Sequence, residues 1–392
     1  MVILPKVRGF ICTTAHPVGC AANVKEQIDY VKSQPKTEGP KKVLVVGASM
    51  GYGLAARIAA AYSCGAGTIG VIFDKPGTET KTGSAGWYNT AAFEKYAAED
   101  GLYAKTVNGD AYSAEIKNQT IQLIKKDFGK IDMLIYSLAA PRRTAPDGTV
   151  YTSVLKPTQE AFTNKTIDLR TNQITEVTIP PAAETEILHT VKVMGGEDWK
   201  DWIRALREAD AIEQDAVTVA FSYIGPELTH AVYLDGSIGK AKAHLFETSK
   251  EINREFDGIK AYISVNKALV TQSSAAIPVV PLYISILYKV MKEHCIHEGC
   301  AQQMYRLFHQ KLYGNKPQTD ELGRIRLDDL ELEPEIQKEV SEIWDTVTDE
   351  TVTEKSDLTG FWDDFYRLFG FHVPSVDYDA DVSPEADIPS LK

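Results

Sequence analysis

Two residues of this sequence have the side chains and the spacing for joint chemistry, a tyrosine and a lysine nine positions apart, Tyr233 and Lys242. Beside a nicotinamide, a phenol can donate to an oxygen on which negative charge develops, while an ammonium holds the cofactor ribose and favours the phenolate. A buried tyrosine and a solvated lysine would give the same pair without chemistry. The pair therefore indicates a redox site only if a cofactor site lies elsewhere in the chain.

A helix has to begin between the two residues if they are to act together. Nine residues of one α-helix rotate by about 900°, which would place the two side chains on opposite faces. Gly236 and Gly239 allow a turn there, and Ser237 is the expected N-cap. Tyr233 then lies on the segment leading in and Lys242 in the second helical turn. The predicted apolar stripe of this helix is Ile238, Ala241, Leu245, Ile252 and Phe256.

A nucleotide-binding unit is predicted near the start of the chain. A β-branched run from Lys41 is followed by three glycines spaced G-x-x-x-G-x-G, Gly47, Gly51 and Gly53, and then by an alanine-rich segment. Such glycines let backbone N–H groups approach a pyrophosphate, and the following helix presents the positive end of its dipole. A purely structural turn could use the same glycines. A P-loop is excluded, because no G-K-[ST] follows them.

An acidic residue stands where it could select the cofactor. The apolar run 68–73 ends in Asp74, 27 positions after Gly47, where the second strand of a dinucleotide fold delivers a carboxylate to the adenosine ribose. Its charge would repel the extra phosphate of NADPH, although Lys75 and Lys81 lie close in sequence. We therefore expect NADH to be the cofactor.

Two further strand ends follow in the order that a dinucleotide fold requires. Asp110 and Ala111 could meet the adenine, and the buried run 131–136 leads into small residues where a nicotinamide ribose would sit. Each could equally be an ordinary strand end. Together with the glycine turn, their order predicts an α/β protein with a Rossmann-like, doubly wound parallel sheet, helices on both faces, and an inserted β-hairpin and helical region that covers the substrate.

With these residues in hand, the chain closely resembles the FabV-type trans-2-enoyl-thioester reductases, enlarged relatives of the short-chain dehydrogenases. Eight residues between the tyrosine and the lysine are typical of this family, whereas its smaller relatives have three or six. The resemblance runs nearly end to end. Its motifs are Arg8-Gly-Phe-Ile-Cys12, His16-Pro-Val-Gly-Cys20, Gly86-Trp-Tyr-Asn89, Ser137-Leu-Ala-Ala-Pro-Arg-Arg143, Val193-Met-Gly-Gly-Glu-Asp-Trp199, Lys267-Ala-Leu-Val-Thr271, Val290-Met-Lys-Glu293 and Gly370-Phe371.

The resemblance implies roles for individual residues. Tyr233 would be the catalytic acid, Lys242 would bind NAD, and Tyr223 would contact the substrate. Two departures from the family pattern concern Asp74, where many relatives carry Glu, and the stretch Ser273-Ser-Ala-Ala after the last cofactor-binding residue. The implied cofactor-binding residues are Gly47, Ala48, Ser49, Met50, Gly51, Tyr52, Phe73, Asp74, Asp110, Ala111, Leu138, Ala139, Lys242, Leu269, Val270 and Thr271.

The resemblance also implies an activity. It is the NADH-dependent reduction of the 2,3 double bond of trans-2-enoyl thioesters, the last reductive step of the type II fatty acid elongation cycle. The acyl group would arrive on acyl carrier protein or coenzyme A. One alternative is a carbonyl or 3-oxoacyl reductase, which would normally need a closer Tyr-x3-Lys pair and an upstream serine. The other is a protein that binds NADH without catalysis.

The domain organisation is expected to be one extended reductase unit over 1–392. The 44% hydrophobic content allows a large core, and the alternation within 163–183 is typical of a hairpin. The predicted parts are 41–142 as the first part of the NAD-binding Rossmann core, 150–200 as an insertion near the substrate mouth, 215–290 as the catalytic Tyr/Lys segment with the rest of the core, and 291–392 as a helical C-terminal extension.

Charge and composition bear on the partners. A net charge of −12 argues against nucleic acid, and no apolar run is long enough to span a bilayer. The N-terminus is too quickly charged for a signal peptide, and five cysteines fit reduced thiols, so a cytoplasmic location is expected. By resemblance, the chain is expected to be a monomer. Arg142 and Arg143 could dock an acidic carrier protein or could simply pair with carboxylates.

No metal is expected, although zinc-ligand types occur in two clusters. Their spacing fits no common zinc site, and buried thiols with capping histidines explain the same residues. The two clusters are Cys12, His16 and Cys20, and His294, Cys295, His297 and Cys300.

Overall fold

The computed structural model describes residues 1–8, 11–272, 274 and 277–391. Its strands are β1 Val7–Arg8, β2 Ile11–Cys12, β3 Lys42–Val46, β4 Gly67–Ile72, β5 Ala104–Asn108, β6 Ile131–Tyr136, β7 Arg142–Thr144, β8 Val150–Thr152, β9 Phe162–Asp168, β10 Gln173–Ile179, β11 Ile212–Ser222, β12 Lys260–Val265 and β13 Ile325–Arg326. Gly9 and Phe10 of the first family motif, and Ser273, Ala275 and Ala276 of the second departure, lie outside the described residues.

Helices alternate with these strands and dominate the last third of the chain. They are α1 Pro17–Ser33, α2 Gly51–Cys64, α3 Ala85–Glu99, α4 Ala114–Asp127, α5 Glu184–Met194, α6 Glu197–Glu208, α7 Glu227–His230, α8 Ser237–Glu255, α9 Val280–Glu293, α10 Cys300–Arg306, α11 Pro334–Thr346, α12 Val352–Lys355 and α13 Leu358–Arg367. A π-helical turn, Leu307–Leu312, extends α10, and Pro389–Leu391 forms a 3₁₀ turn. Among the helices of the described residues, none combines the length and the apolar character that crossing a membrane requires.

Seven of the described strands form one parallel sheet in the order β13-β12-β11-β6-β3-β4-β5. The chain starts the sheet in its middle at β3, adds β4 and β5 on one side, and then crosses over to add β6, β11, β12 and β13 on the other. This is the strand order of a Rossmann fold, with a switch point beside β3. The predicted fold class is confirmed.

Helices cover both faces of the sheet, as predicted. Within β3, Val43 and Val45 pack against the alanines of α2, whereas Leu44 and Val46 belong to the cluster on the opposite face with Trp202 of α6. Because successive side chains of a strand point to opposite faces, this division requires a layer of helices on each side. The near-continuous apolar run of β3 therefore reflects burial from both sides.

Two further elements pack outside the sheet, close to the site. The predicted hairpin is confirmed, since β9 and β10 pair in antiparallel register with Thr166 opposite Thr175. The hairpin rests on the start of α9, where the backbone N–H of Val279 donates to Thr166 Oγ1 at 3.1 Å. Helix α9 is buried along nearly its whole length, because the hairpin, α11 and α13 all pack around it.

The first zinc-ligand cluster has the structural role that was predicted. His16 is the N-cap of α1, and its Nδ1 accepts from the backbone N–H of Gly19 at 3.1 Å. Cys12 and Cys20 are buried thiols, and burial raises the pKa of Cys20. Within the described part of the chain, no three His, Cys, Asp or Glu side chains are grouped so as to hold a metal ion.

Candidate active site

A cavity of about 780 Å³ opens at the carboxyl ends of the central strands. This is the edge of a parallel sheet at which ligands bind in Rossmann folds. Two predicted residues, Ala48 and Val270, are buried and do not line the cavity. The predicted site residues that line the cavity are Gly47, Ser49, Met50, Gly51, Tyr52, Phe73, Asp74, Asp110, Ala111, Leu138, Ala139, Tyr223, Tyr233, Lys242, Leu269 and Thr271.

The glycine turn between β3 and α2 allows two close backbone approaches and one left-handed residue. A Cβ on Gly47 would lie 2.3 Å from the Ser137 carbonyl oxygen, and one on Gly53 would lie 1.9 Å from the Gly47 carbonyl oxygen. Gly51 instead has open space around it but a φ of +52°, which disfavours any larger residue. Helix α2 starts here without a side-chain cap, so its first N–H groups are available to a phosphate.

Replacing Gly53 with Ala should disrupt this turn. The added methyl collides with the Gly47 carbonyl, which cannot move without displacing the strand end. We expect a loss of about 1–3 kcal/mol in the free energy of unfolding, measured by urea denaturation, together with weaker NADH binding. The control is Gly299→Ala, where the nearest atom is the flexible end of Gln302, at 3.0 Å. Equal stability of the two variants would contradict the conclusion that the turn requires glycine at position 53.

Asp74 follows β4 at the end of the cavity away from the Tyr/Lys pair. Its carboxylate accepts from Ser84 Oγ at 2.7 Å, and its backbone N–H donates to Asn108 Oδ1 at 2.9 Å. Gly86 lets α3 approach, because a Cβ there would lie 2.5 Å from both carboxylate oxygens. The neighbouring Phe73 is 79% exposed at the cavity edge. The carboxylate is thus held in place beside an exposed aromatic face.

The helix that carries Lys242 begins between the two reactive residues, as predicted, but its cap is different. The N-cap of α8 is Gly236, and the prediction of Ser237 at that position is wrong. The Ser237 hydroxyl instead donates to the Val154 carbonyl oxygen at 2.5 Å. The serine therefore ties the start of the helix to the segment after β8, and Lys242 lies in the second turn.

The electrostatics of the pair also differ from the prediction. The Lys242 ammonium donates to the Phe221 carbonyl oxygen at 2.9 Å, and burial lowers its pKa to about 8. Burial raises the pKa of Tyr233 above its usual value, and the lysine does not offset this shift. The prediction that Lys242 lowers the pKa of Tyr233 is therefore wrong for this structure. Among the described residues, the Tyr233 hydroxyl has no hydrogen-bond partner, which leaves it free to donate into the cavity.

Tyr223 lies directly against Tyr233. The two rings meet edge to face at 87°, with their centroids 4.6 Å apart. The Tyr223 hydroxyl donates to Oε1 of Glu331 at 3.0 Å, and this glutamate is fully buried. Sequence reasoning missed Glu331, because an acidic residue in a stretch rich in acids gives no signal of burial.

A second buried residue at the site is Lys267, two positions after β12 ends at Val265. It opens one of the family motifs, but the sequence predicted no role for it. Its ammonium donates to the Ala268 carbonyl oxygen at 2.9 Å, and burial lowers its pKa to about 8. Its own carbonyl accepts from the Tyr52 hydroxyl at 2.6 Å. The glycine turn and the loop after β12 are thus joined through two residues of the cavity wall.

The sequence left two explanations open for Arg142 and Arg143, which were docking of an acidic carrier protein and pairing with carboxylates. Arg143 is buried and donates to the Lys192 carbonyl oxygen and to a Glu197 carboxylate oxygen, both at 2.9 Å. Carboxylate pairing is therefore correct for Arg143. Arg142 is exposed at the cavity edge, so it alone of the two is placed to meet a partner.

The fold and the cavity together define a class, the Rossmann-type dinucleotide-binding proteins of the doubly wound α/β group. Within that class, three family models match consecutive parts of the chain. They are the "NAD(P)H binding domain of trans-2-enoyl-CoA reductase" over residues 2–79, the "Trans-2-enoyl-CoA reductase catalytic region" over 81–313 and the "Enoyl reductase FAD binding domain" over 319–382. The chain belongs to the trans-2-enoyl-CoA reductase family.

Full-length relatives support this membership. The chain is 56% identical to a trans-2-enoyl-CoA reductase [NADH] of Ruminiclostridium cellulolyticum, over 100% of both chains. It is 57% identical to an enoyl-[acyl-carrier-protein] reductase [NADH] of Pseudomonas fluorescens, over 100% of this chain and 99% of the relative. The crystal structure of Treponema denticola trans-2-enoyl-CoA reductase in complex with NAD superimposes with a TM-score of 0.95 at 48% identity, covering 99% of each chain.

The flavin named in the third family model does not fit the residues that match it. The described residues 319–382 form β13, α11, α12, α13 and their connections, without a glycine-rich turn between a strand and a helix. The segment instead packs against α9 and brings Glu331 to Tyr223. Its contribution to the site is structural support from behind.

Proposed function

We propose that this chain is an NADH-dependent enzyme that reduces the 2,3 double bond of trans-2-enoyl thioesters, carried by acyl carrier protein or coenzyme A. This would be the last reductive step of the type II fatty acid elongation cycle. The observation that carries the proposal is the convergence of Tyr233, Tyr223 and Lys242 with the glycine turn in one cavity. The [NADH] reductases at 56% and 57% identity support it.

The residues present fit NADH along the whole length of the cavity. Asp74 offers a carboxylate to the adenosine ribose, and Phe73 offers an exposed ring to the adenine. The uncapped start of α2 and the cradle at Gly47 suit the pyrophosphate, because a side chain there would block the backbone. Lys242 lies at the opposite end, where it would hold the nicotinamide ribose.

When bound, NADH supplies the hydride that adds to the β-carbon of the enoyl thioester. Negative charge then develops on the thioester oxygen. The Tyr233 hydroxyl donates to that oxygen, since Tyr233 lines the cavity and its hydroxyl has no competing partner among the described residues. Burial strengthens this hydrogen bond, because water is excluded from around it. Protonation at the α-carbon completes the saturated acyl thioester.

Selection of NADH over NADPH should depend on Asp74. We expect the wild-type enzyme to prefer NADH by about tenfold or more in kcat/KM, because the carboxylate repels the additional phosphate of NADPH. Asp74→Ala should reduce that ratio, mainly by improving the KM for NADPH. Glu79→Ala is the control, as it removes an equal charge from the exposed loop nearby. An unchanged ratio in Asp74→Ala would place the discrimination elsewhere.

The region that covers the substrate is proposed to be the insertion 150–200. The hairpin β9–β10 within it packs on α9 through Thr166 and Val279, and Val280 and Ile284 of α9 line the cavity. This packing supports a place beside the acyl chain. The remaining predicted segment boundaries, the monomeric state and the cytoplasmic location stay predictions.

The decisive experiment follows the loss of NADH absorbance with crotonyl-CoA and with a longer enoyl-acyl carrier protein. Turnover of either substrate is the expected result, and the better carrier identifies the physiological pathway. NAD-dependent oxidation of a 3-hydroxyacyl thioester, with no enoyl reduction, would instead support a carbonyl reductase. NADH binding without turnover of any of these substrates would support a non-catalytic protein.

A further inference from the structure

Glu331 lies behind the site, and its two carboxylate oxygens bind different parts of it. Oε1 accepts from the hydroxyls of Tyr223 at 3.0 Å and Tyr283 at 2.6 Å. Oε2 accepts from the backbone N–H of Ala268 at 2.7 Å. Ala268 belongs to the loop after β12 that continues to the proposed cofactor-binding residues Leu269–Thr271. One buried carboxylate thus joins the substrate side of the cavity to the cofactor side.

The direction of these hydrogen bonds follows from the groups involved. A backbone N–H can only donate, so Oε2 must act as an acceptor. A tyrosine hydroxyl has a single hydrogen, and Tyr223 gives that hydrogen to Oε1. Tyr283 does the same, since its oxygen in turn accepts from Gln337 Nε2 at 3.2 Å. Because an ionised Glu331 carboxylate has no hydrogen to give, the Tyr223 hydroxyl presents only lone pairs to the cavity.

We propose that Glu331 is a positioning residue that turns the Tyr223 hydrogen away from the substrate, so that Tyr233 is the only one of the two tyrosines able to donate to the thioester oxygen. The inference rests on the proposed function and deepens it, because it assigns the two adjacent phenols different roles. Tyr223 holds its ring against Tyr233 and acts as an acceptor. Tyr233 has no such partner among the described residues and keeps its hydrogen for the substrate.

Glu331→Gln tests this directly, because the amide must reverse the network. The Ala268 N–H still requires an acceptor, so the amide oxygen takes that position and the NH₂ group faces the two tyrosines. Tyr223 then accepts, and its hydrogen turns towards the cavity, where it competes with Tyr233. We expect kcat with crotonyl-CoA to fall by about tenfold, which is the effect of weakening one hydrogen bond in the transition state.

A double-mutant cycle separates positioning from general stabilisation. In a Tyr223→Phe background there is no hydroxyl to redirect, so Glu331→Gln should change kcat by less than about twofold. A merely structural role for Glu331 would give the same loss in both backgrounds. Tyr283→Phe is the matched control, since it removes an equivalent hydrogen bond to the same Oε1 from a residue that does not line the cavity. It should lower Tm and leave kcat within about twofold.

The exposed Glu335→Gln on α11 controls for the chemical change itself and should be without effect. If Glu331→Gln does not fold, Glu331→Asp serves in the same cycle, because its carboxylate is withdrawn by one methylene. Additive losses in the cycle would overturn the inference about Glu331, and so would an unchanged kcat in the Glu331 variant. In both cases turnover by the wild-type enzyme would still uphold the proposed function. Absence of wild-type turnover would count against the proposed function itself.

Discussion

Tyr233→Phe should lower kcat with crotonyl-CoA by about 10²–10³, because it removes a donor to the oxygen on which charge develops. The affinity for NADH should remain within about twofold of the wild type, because the hydroxyl is proposed to act on the substrate. The expected pattern is therefore a loss in kcat with nearly unchanged NADH binding. Steady-state kinetics, together with NADH fluorescence titration, measure the two quantities separately.

The control for this variant is Tyr96→Phe, which removes a hydroxyl from α3 outside the cavity lining. It should retain full activity. Full activity of Tyr233→Phe would instead show that another group stabilises the thioester oxygen. The neighbouring Tyr223 would then be the next residue to test, because its ring contacts that of Tyr233.

Lys242→Met should weaken NADH binding by about 10–100-fold and lower kcat/KM accordingly. The reason is the loss of a charged hydrogen-bond donor, which is worth about 1.5–3 kcal/mol in a buried site. Methionine keeps the length and apolar stem of the lysine, so the packing of α8 should be preserved. Lys240→Met on the same helix is the control, because Lys240 is exposed. Unchanged NADH affinity in Lys242→Met would exclude the lysine from cofactor binding.

The same lysine predicts a pH dependence. Burial lowers the pKa of Lys242 from its ordinary value to about 8, so the ammonium is present below that pH and is lost as the pH rises through it. NADH affinity should therefore fall above pH 8 in the wild type. In Lys242→Met the affinity should be weak and flat over the same range. A fall that persists in the variant would assign the titration to another group, with Lys267 as the candidate, because burial also lowers its pKa to about 8.

Local patterns in the sequence were sufficient to predict the architecture. The β-branched run before Gly47 and the alanines after Gly53 predicted β3 and α2, because strand and helix formation depend mainly on neighbouring residues. The helix start between Tyr233 and Lys242 followed from helical rotation alone. The hairpin within 163–183 followed from alternation with a period of two. In each case the determining interactions lie within about twenty residues of one another.

The sequence alone thus determined the sheet, the order along the chain of the strand ends that face the ligand, and the residues that could do chemistry. Tertiary structure decided how those residues are partnered, because burial and hydrogen bonding depend on segments far apart in the chain. The Ser237 hydroxyl donates to the Val154 carbonyl oxygen instead of capping α8, and Arg143 is buried against Glu197. Glu331 lies 108 positions from Tyr223 and acquires its role only when the C-terminal segment folds against α9. The sequence around a charged residue such as Glu331 does not show whether the residue will be buried, since its desolvation and its hydrogen-bond donors come from elsewhere in the fold.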